Sequence, residues 1–408
     1  MCISPIGCHH PKPNMSTHTA PDPIDAKEAP TPTRVDFIVI GAGIAGASVA
    51  YHLAPQARGV VLERESHPGY HTTGRSAAHY ITTYGTPQVR SLTLASRAFF
   101  EQPPAGFSDV PLITPRAVMT VGLQGQEAML DEAWSVLQSV GATGARMSAQ
   151  AAAARVPALR AEALCGAVWE EEGFDMDVDA LHQGFLRGLQ RMGSEVICNA
   201  EVNALSYRGG LWCVNAGGRA WMAPVVINAS GAWGDDIAEL AHVKPLGLAP
   251  KRRTALTIRA PDEYNPAHWP LVVAADESLY FKPEAGRRLL VSPANADPTH
   301  AQDVQPEELD IAIAMDRLEK VTTIQSRPER SWAGLRTFVA DGDLVGGFDA
   351  QTPGFFWCVA QGGYGIQTAP AMGLACAALV LGQAWPQALS AWGLSAAQLS
   401  PERLAAGT

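Results

Sequence analysis

The stretch VDFIVIGAGIAGASVAYHLA (residues 35–54), followed by GVVLERE (59–65), decides the fold. A continuous run of apolar and β-branched residues that ends at once in glycine is the pattern of a parallel strand buried on both faces. The segment behind it opens a helix that Pro55 stops, and the second apolar run is the next strand of a βαβ unit. Inside the turn, Gly41, Gly43 and Gly46 are spaced G-x-G-x-x-G. Gly41 permits the tight turn, Gly43 lets a pyrophosphate approach without a Cβ in the way, and Gly46 lets helix and strand pack closely. The helix N-terminus then offers free N–H groups and partial positive charge to phosphate. Glu63, at the end of the second strand, is placed to accept from both ribose hydroxyls of an adenosine and would repel a ribose 2′-phosphate. With strand, helix and acid in place, dinucleotide binding is the expectation; a purely structural glycine turn is the alternative.

Outward from this unit the pattern returns, so the expected class is α/β with a Rossmann-like domain. DALHQGFLRGLQRM, from Asp179, reads as a helix with an aspartate N-cap. The segment 194–218 reads as strands joined by a hairpin turn at Gly209 and Gly210. APVVINASGAW is a strand ending in a glycine turn, and GFFWCVAQGGYGIQTAPAMGLACAALVL is strand, glycine-rich loop and helix. Residues 35–105, 170–241 and 332–408 are therefore assigned to the nucleotide-binding domain. The intervals 106–169 and 242–331 differ in character and are read as two insertions that build one substrate-binding domain with a mixed sheet. Residues 1–34, with prolines at 5, 11, 13, 21, 23, 30 and 32, are read as a disordered leader. Asp175, Asp177 and Asp179 alternate in a way that suggests a turn, an exposed face and a helix cap rather than a metal or acid–base site.

Bulk numbers exclude several functions. The 408 residues are 47% hydrophobic and carry a formal net charge of -10, which supports a large core and disfavours nucleic acid or anionic lipid as partner. The most apolar run, around Ala371 to Leu381, is too short to span a bilayer, and the N-terminus lacks the apolar core of a secretory signal. Seven cysteines at 2, 8, 165, 198, 213, 358 and 376 show no regular spacing. They are read as reduced thiols of a cytoplasmic protein. Cys2, Cys8, His9 and His10 lack a second pair at zinc-site spacing, so no metal is expected.

Which dinucleotide is bound follows from how often the backbone must approach it. YHTTGRSAAH (70–79), NASGAW (228–233) and QGGYG (361–365) add further small-residue and glycine turns. A nicotinamide enzyme needs one such fingerprint, whereas a flavin dinucleotide threaded through the protein needs several, so the distribution favours FAD.

The set VIGAGIAGAS (39–48), VVLERE (60–65), GYHTTGRSAAHY (69–80), VVINASGAWGDDIAEL (225–240), WAGLRTFVADGDLVGG (332–347) and QGGYGIQTAPAMG (361–373) resembles the DAO-type FAD-dependent oxidoreductases. Within them it looks most like bacterial D-amino acid dehydrogenases of the D-arginine dehydrogenase kind, from about Val35 to near the C-terminus. The resemblance implies FAD contacts at Gly41, Gly43, Ile44, Ala45, Gly46, Glu63, Arg64, Thr73, Gly74, Ser76, Ala77, Ala78, Val202, Gly231, Trp233, Arg336, Gly363, Tyr364, Gly365, Ile366 and Gln367. Some relatives tether the flavin through a cysteine just ahead of the WAGLR-like segment; here Ser331 precedes Trp332, so the FAD is expected to be non-covalent.

The resemblance also implies a substrate site. Arg253 and Arg336 would clamp a carboxylate, with the hydroxyls of Tyr84 and Tyr280 completing the clamp. Gly363 would receive the amino group on its carbonyl, and His79 would order water near the reacting centre. Each has a plainer reading: Arg253 follows Lys251 and Arg252 in what could be a solvated basic stretch, and Tyr280 could be sheet core. Tyr84 lies in HYITTYGTP, whose composition suits a mobile lid. Two departures bear on specificity. D-arginine-type relatives carry an acid in the motif R-P-E-M, where this chain has Arg116, Ala117, Val118 and Met119, and Ile81 replaces an expected hydroxyl residue. Without that counter-ion, apolar D-amino acids are expected over cationic ones. The activity implied is oxidative deamination to a 2-oxo acid, with electrons passed to an unidentified acceptor. The rivals are an oxidase that uses O₂ on D-amino acids, glycine or sarcosine, and a non-catalytic subunit that merely holds FAD.

Overall fold

The opening strand, Phe37–Ile40, lies in the middle of a six-stranded sheet. Its neighbours are Gly59–Leu62 and then Glu195–Ile197 on one side, and Val225–Asn228, Phe355–Val359 and Val345–Phe348 on the other. All pairings are parallel except the last. The chain fills one side of the first strand and then crosses to the other, so the crevice at the strand ends is the place where such sheets hold ligands. This computed structural model describes Met1 and residues 31–404; the leader expected over 1–34 and its Cys2, Cys8, His9 and His10 lie largely outside the described residues. Thr33 and Arg34, assigned to that leader, instead form a short strand beside Trp221 and Met222.

Alternation along the central strand explains the layers. Phe37 and Val39 pack into a cluster with the helices Ile44–Leu53, Val178–Arg191 and Gly365–Val380. Ile38 and Ile40 face the opposite side, against Trp212 and Trp221 of an antiparallel sheet built from Val202–Arg208, Leu211–Ala216 and Arg219–Ala223. The hairpin of that sheet turns at Gly209 and Gly210, both at positive φ (58° and 82°), as its two-glycine turn requires. The two apolar helices meet closely. A Cβ at Gly373 would strike the Ser48 hydroxyl, which donates to the Ala369 carbonyl at 2.7 Å.

The second body is a nine-stranded mixed sheet. Its strands come from Val118–Leu123, Gly144–Met147 and Leu164–Glu170, and from the region between Ala249 and Phe338. A cluster that includes Met119, Leu256, Phe281 and Leu318 fills the space between this sheet and the helices Ala149–Arg155 and Glu308–Val321. The boundary expected between residues 331 and 332 falls inside the strand Pro328–Phe338, which pairs along its length with Ala249–Arg259. Ten antiparallel residue pairs, with one irregularity between Thr257 and Ile258, hold that segment in the second sheet. The helix expected to begin at Asp179 begins at Val178, and its cap is Asp177, whose side chain accepts from Ala180 N at 2.8 Å. Among the described residues no helix is long and apolar enough to cross a membrane, and no group of His, Cys, Asp and Glu could hold a metal.

Candidate functional site

A channel of about 420 Å³ runs along the C-terminal ends of the parallel strands. Its floor is the glycine turn. Gly41 sits at φ 102°, and a Cβ there would lie 2.6 Å from the Ala229 carbonyl oxygen. A Cβ at Gly46 would run into the Gly41 carbonyl, so this residue serves helix packing and does not line the channel. Gly43 is the N-cap of the first helix and has no side-chain cap; a Cβ there would meet only the Thr73 hydroxyl, at 3.3 Å. A helix N-terminus whose cap residue carries no side chain, behind an open glycine, fits a pyrophosphate; its first N–H, that of Ile44, goes to the Thr73 hydroxyl. Glu63 takes Ala42 N–H on one oxygen (2.9 Å) and Glu65 N–H on the other (3.0 Å). It thereby ties the turn to the second strand and still lines the channel.

The other residues implied as FAD contacts fall into three groups. Ile44, Ala45, Arg64, Thr73, Ser76, Ala77, Val202, Gly231, Trp233, Arg336, Gly363, Gly365 and Ile366 line the channel. The Arg64 guanidinium stacks over the Trp233 ring at 4.1 Å, and Thr73 accepts from Ile44 N–H at 3.0 Å. Ala78 and Gln367 line a smaller cavity of about 130 Å³ that shares Ser76, Ala77, Arg253, Tyr280, Arg336, Gly363 and Ile366 with the channel. Gly74 and Tyr364 line neither. A Cβ at Gly74 would sit 2.7 Å from the Gly69 carbonyl oxygen, which makes Gly74 a turn residue. Tyr364 caps the Gly365–Val380 helix without a side-chain cap bond. That second helix N-terminus also meets the channel, at Gly365, so positive helix ends serve both extremities. Among the described residues no cysteine lines the channel.

The smaller cavity collects the residues implied for the substrate. His79, Tyr84, Tyr280, Arg253, Arg336 and Gly363 all line it. Arg253 and Arg336 stand on neighbouring antiparallel strands, Arg253 opposite Gly334 and Arg336 opposite Lys251. This diagonal register puts both side chains on one face. Arg253 donates to the Asn295 carbonyl (2.6 Å) and Arg336 to the Tyr84 hydroxyl (2.8 Å). Among the described residues neither makes an ion pair. Burial and the nearby Arg336 push the Arg253 pKa down. Burial also opposes the charge on Arg336, but Tyr84 and Tyr280 outweigh it and hold the pKa up. The basic stretch is thus divided by strand alternation. Arg252 turns the other way and pairs with Asp297, Glu307 and Asp310, while Arg253 faces the cavity. Two part-buried guanidinium groups on one cavity, neither of them paired with a carboxylate among the described residues, are a site for an anion. Gly363 makes room for them: a Cβ there would lie 2.5 Å from Arg336 Nη1 and 2.6 Å from its Cζ.

His79 lines the cavity and is held in its wall. It faces Asp175 across a two-strand pairing. Its Nδ1 lies 3.3 Å from Asp175 Oδ1 and its Nε2 3.0 Å from the Arg116 carbonyl. Each ring nitrogen faces an acceptor in the wall, of which a neutral imidazole can serve one, and burial pushes the imidazole pKa down. Asp175, read from sequence as part of an exposed turn and helix start, is the hub of this wall. It also pairs with Arg116 and, at 3.1 Å, with Lys282. Although burial works against it, His79, Lys282 and Arg116 hold its carboxyl well below the usual range.

The segment carrying Tyr84, read as a mobile lid, is fastened at several points. Gln367 accepts from Ile81 N–H at 3.3 Å. Glu170 accepts from Thr82 N (3.0 Å), Thr82 Oγ1 (2.5 Å) and Thr83 Oγ1 (2.6 Å), and burial pushes its pKa up. Thr86 bonds to Asp343. Sequence reasoning missed Glu170, Asp175 and Lys282. It also missed His182, whose Nε2 lies 2.8 Å from the Ala42 carbonyl under the glycine turn, and Glu277, which lines the smaller cavity. Lys282 left one signal: it sits two residues after Tyr280 on a strand, hence on the same face.

Comparison with known proteins agrees with this geometry. The family model described as DAO, FAD dependent oxidoreductase, matches residues 36–379. The chain is 25% identical over 403 residues to FAD-dependent oxidoreductase domain-containing protein 1 of Bos taurus, covering 86% of this chain and 82% of that one. It is 26% identical over 226 residues to L-2-hydroxyglutarate dehydrogenase of Escherichia coli (strain K12), covering 53% and 50%. The crystal structure of glycine oxidase from Geobacillus kaustophilus superposes with a TM-score of 0.76 at 21% identity, over 86% of this chain and 96% of that one. With the glycine turn, the second helix N-terminus and the channel between them, the chain belongs to the DAO family of FAD-dependent oxidoreductases.

Proposed function

We propose that the protein oxidises the Cα–N bond of a D-amino acid to the imine, which water converts to a 2-oxo acid and ammonia. The observation that carries this reading is the pair Arg253 and Arg336, cationic, without an ion-pair partner among the described residues, and set where the FAD channel opens into the smaller cavity. The two guanidinium groups bind the substrate carboxylate, with the Tyr84 hydroxyl supporting Arg336 and Tyr280 beside them. The Gly363 carbonyl, beside Arg336, receives the amino group. Bound non-covalently in the channel, FAD supplies the acceptor for the Cα hydride. No carboxylate base is required where burial in the cavity disfavours the ammonium form and its proton passes to solvent. The likeness to D-arginine-type dehydrogenases supports the D configuration, and the free thiols of Cys165, Cys198, Cys213, Cys358 and Cys376 suit a cytoplasmic setting.

One expectation about side chains changes. The apolar preference assumed that no acid reaches the cavity. Glu277, on a hairpin 159 residues after Val118, does line it beside Leu271, Val273, Leu279 and Ile81. The walls still suit an aliphatic side chain, but the loss of the acid at Val118 no longer argues against a cationic one. An oxygen-using enzyme of the glycine oxidase kind would share this clamp and differ in the fate of the electrons; peroxide yield separates the two. The deciding experiment is anaerobic mixing with D- and L-amino acids. Bleaching of the yellow flavin by D-enantiomers, faster as pH rises and then level, is expected. No bleaching by any amino acid, or a rate flat in pH, overturns the proposal.

A further inference from the structure

Glu277 sits at the tip of the hairpin between Leu271–Ala274 and Tyr280–Glu284, in a left-handed conformation at φ 54°. The tip is fixed. Glu277 N–H donates to the Ala274 carbonyl at 2.8 Å. Its neighbour Asp276 accepts from Ser278 N (3.0 Å) and from Gln126 Nε2 (3.1 Å). Asp276 is thus occupied, whereas the Glu277 side chain has no hydrogen bond or ion pair among the described residues and lines the cavity that holds the two arginines. Glu277 is solvent-exposed, so its lack of a partner is ordinary, but it lines the cavity and its charge acts on Arg253, favouring the guanidinium.

Charge counting shows what that charge does. The formally charged side chains lining this cavity are Arg253, Arg336 and Glu277, which sum to one net positive charge. An amino acid with a neutral amine and one carboxylate carries the matching single negative charge. A second carboxylate would find no third cation: Lys282 is engaged by Asp175 and the Ala78 carbonyl and does not line the cavity. It would meet the aliphatic wall or Glu277 instead, a desolvation penalty in the first case and repulsion in the second.

We propose that Glu277 is a specificity-determining residue that excludes substrates with a second carboxylate, so that the cavity takes monocarboxylic amino acids and rejects dicarboxylates. This rests on the reading of the cavity as a carboxylate site. It sets the chain apart from L-2-hydroxyglutarate dehydrogenase, a relative whose name specifies a dicarboxylate.

Butyrate and glutarate test it, since they differ by one terminal carboxylate and neither is an amine. Each is titrated into the FAD-loaded protein, followed by perturbation of the flavin absorbance and by thermal shift, for the native chain, Glu277→Gln and Glu277→Lys. The native protein should bind butyrate in preference. Glu277→Gln should raise the glutarate-to-butyrate affinity ratio about fivefold or more at low salt, an effect that shrinks with ionic strength, and Glu277→Lys should raise it further. A native protein that binds glutarate as well as butyrate, or a ratio unmoved by either variant, overturns the proposal. Turnover of D-norvaline against D-glutamate separates the two levels of inference. If neither bleaches the flavin but the carboxylate ratio moves, amine oxidation fails and the selectivity stands; if D-norvaline bleaches it and the ratio does not move, only the selectivity fails.

Discussion

Replacing Gly363 by alanine should damage substrate binding while leaving the fold intact, and the structure sets the scale. Gly363 is not at positive φ, so its backbone accepts a side chain. The added Cβ would stand 2.5 Å from Arg336 Nη1, 2.6 Å from Cζ and 2.9 Å from Nε. Ordinary carbon–nitrogen contact lies near ~3.5 Å, so the guanidinium must withdraw by about 1 Å. That end of the arginine is flexible, and the stability change should stay within about 1 kcal/mol. The withdrawal breaks the 2.8 Å bond to the Tyr84 hydroxyl and misaligns one of the two groups that hold the carboxylate. A charge-assisted hydrogen bond is worth about 1.5–3 kcal/mol, which corresponds to roughly 10- to 150-fold in affinity. Stopped-flow flavin reduction over a substrate series, with thermal melting and bound flavin measured in parallel, provides the assay. The expected result is a matching rise in the apparent dissociation constant with FAD content and melting temperature kept. Unchanged substrate affinity would refute the role given to Arg336, and loss of the flavin itself would show that Gly363 acts on the cofactor.

Gly43→Ala and Gly46→Ala should separate: the first meets only the Thr73 hydroxyl at 3.3 Å and should lose FAD affinity with little change in apoprotein melting. The second drives its Cβ into the Gly41 carbonyl and should lose both, with about 1–3 kcal/mol of stability. Arg252→Met should destabilise the protein, since it strands Asp310, which is only 4% exposed. Arg253→Met should spare stability and weaken carboxylate binding, and the opposite pattern from chemical denaturation and ligand titration would reverse their assignments. Asp175→Asn should cost about 2–4 kcal/mol at pH 7, because it leaves Lys282 and Arg116 without their shared carboxylate. The Asp175 pKa is depressed in the folded state, so its stabilisation is complete above the unfolded value near ~4 and is lost as pH falls below it. Urea unfolding at pH 7 and pH 3 should accordingly show the gap between native and variant narrowing, without vanishing, at the lower pH.

The nucleotide half of the fold was legible because its signals are local. Strand, glycine turn, helix and terminal acid occupy residues 35–65 without interruption, and each glycine has a geometric reason that can be stated from spacing alone. The substrate half is written across long separations. Arg253 and Arg336 become neighbours through the register of two 11-residue strands, which no periodicity reveals; the residues alone left Arg253 in an undivided basic stretch, and only the family resemblance singled it out. Asp175 was misread for the same reason. Its spacing from Asp177 and Asp179 resembles a helix start, and only pairing with His79 turns it inward. Glu277 escaped because the search for an acid was confined to the position that a relative uses, whereas a hairpin tip from another strand reaches the same cavity.

Charged residues of the same types meet two fates in this molecule, and the difference identifies the site. Around Asp175, the cations Arg116 and Lys282 share a carboxylate and donate to backbone carbonyls as well. That arrangement is complete, and its work is to hold the wall and the His79 ring. A few residues away Arg253 and Arg336 have only a carbonyl and a phenol between them. Two neighbouring guanidinium groups repel, so leaving them together on one cavity wall lowers stability unless a ligand anion joins them. A structural role would have been better served by a pairing like that of Arg252, one residue away on the opposite face of the same strand. The unsatisfied charge is therefore held for something the protein takes from solution, and the single negative charge of Glu277 limits how much anion that ligand can carry.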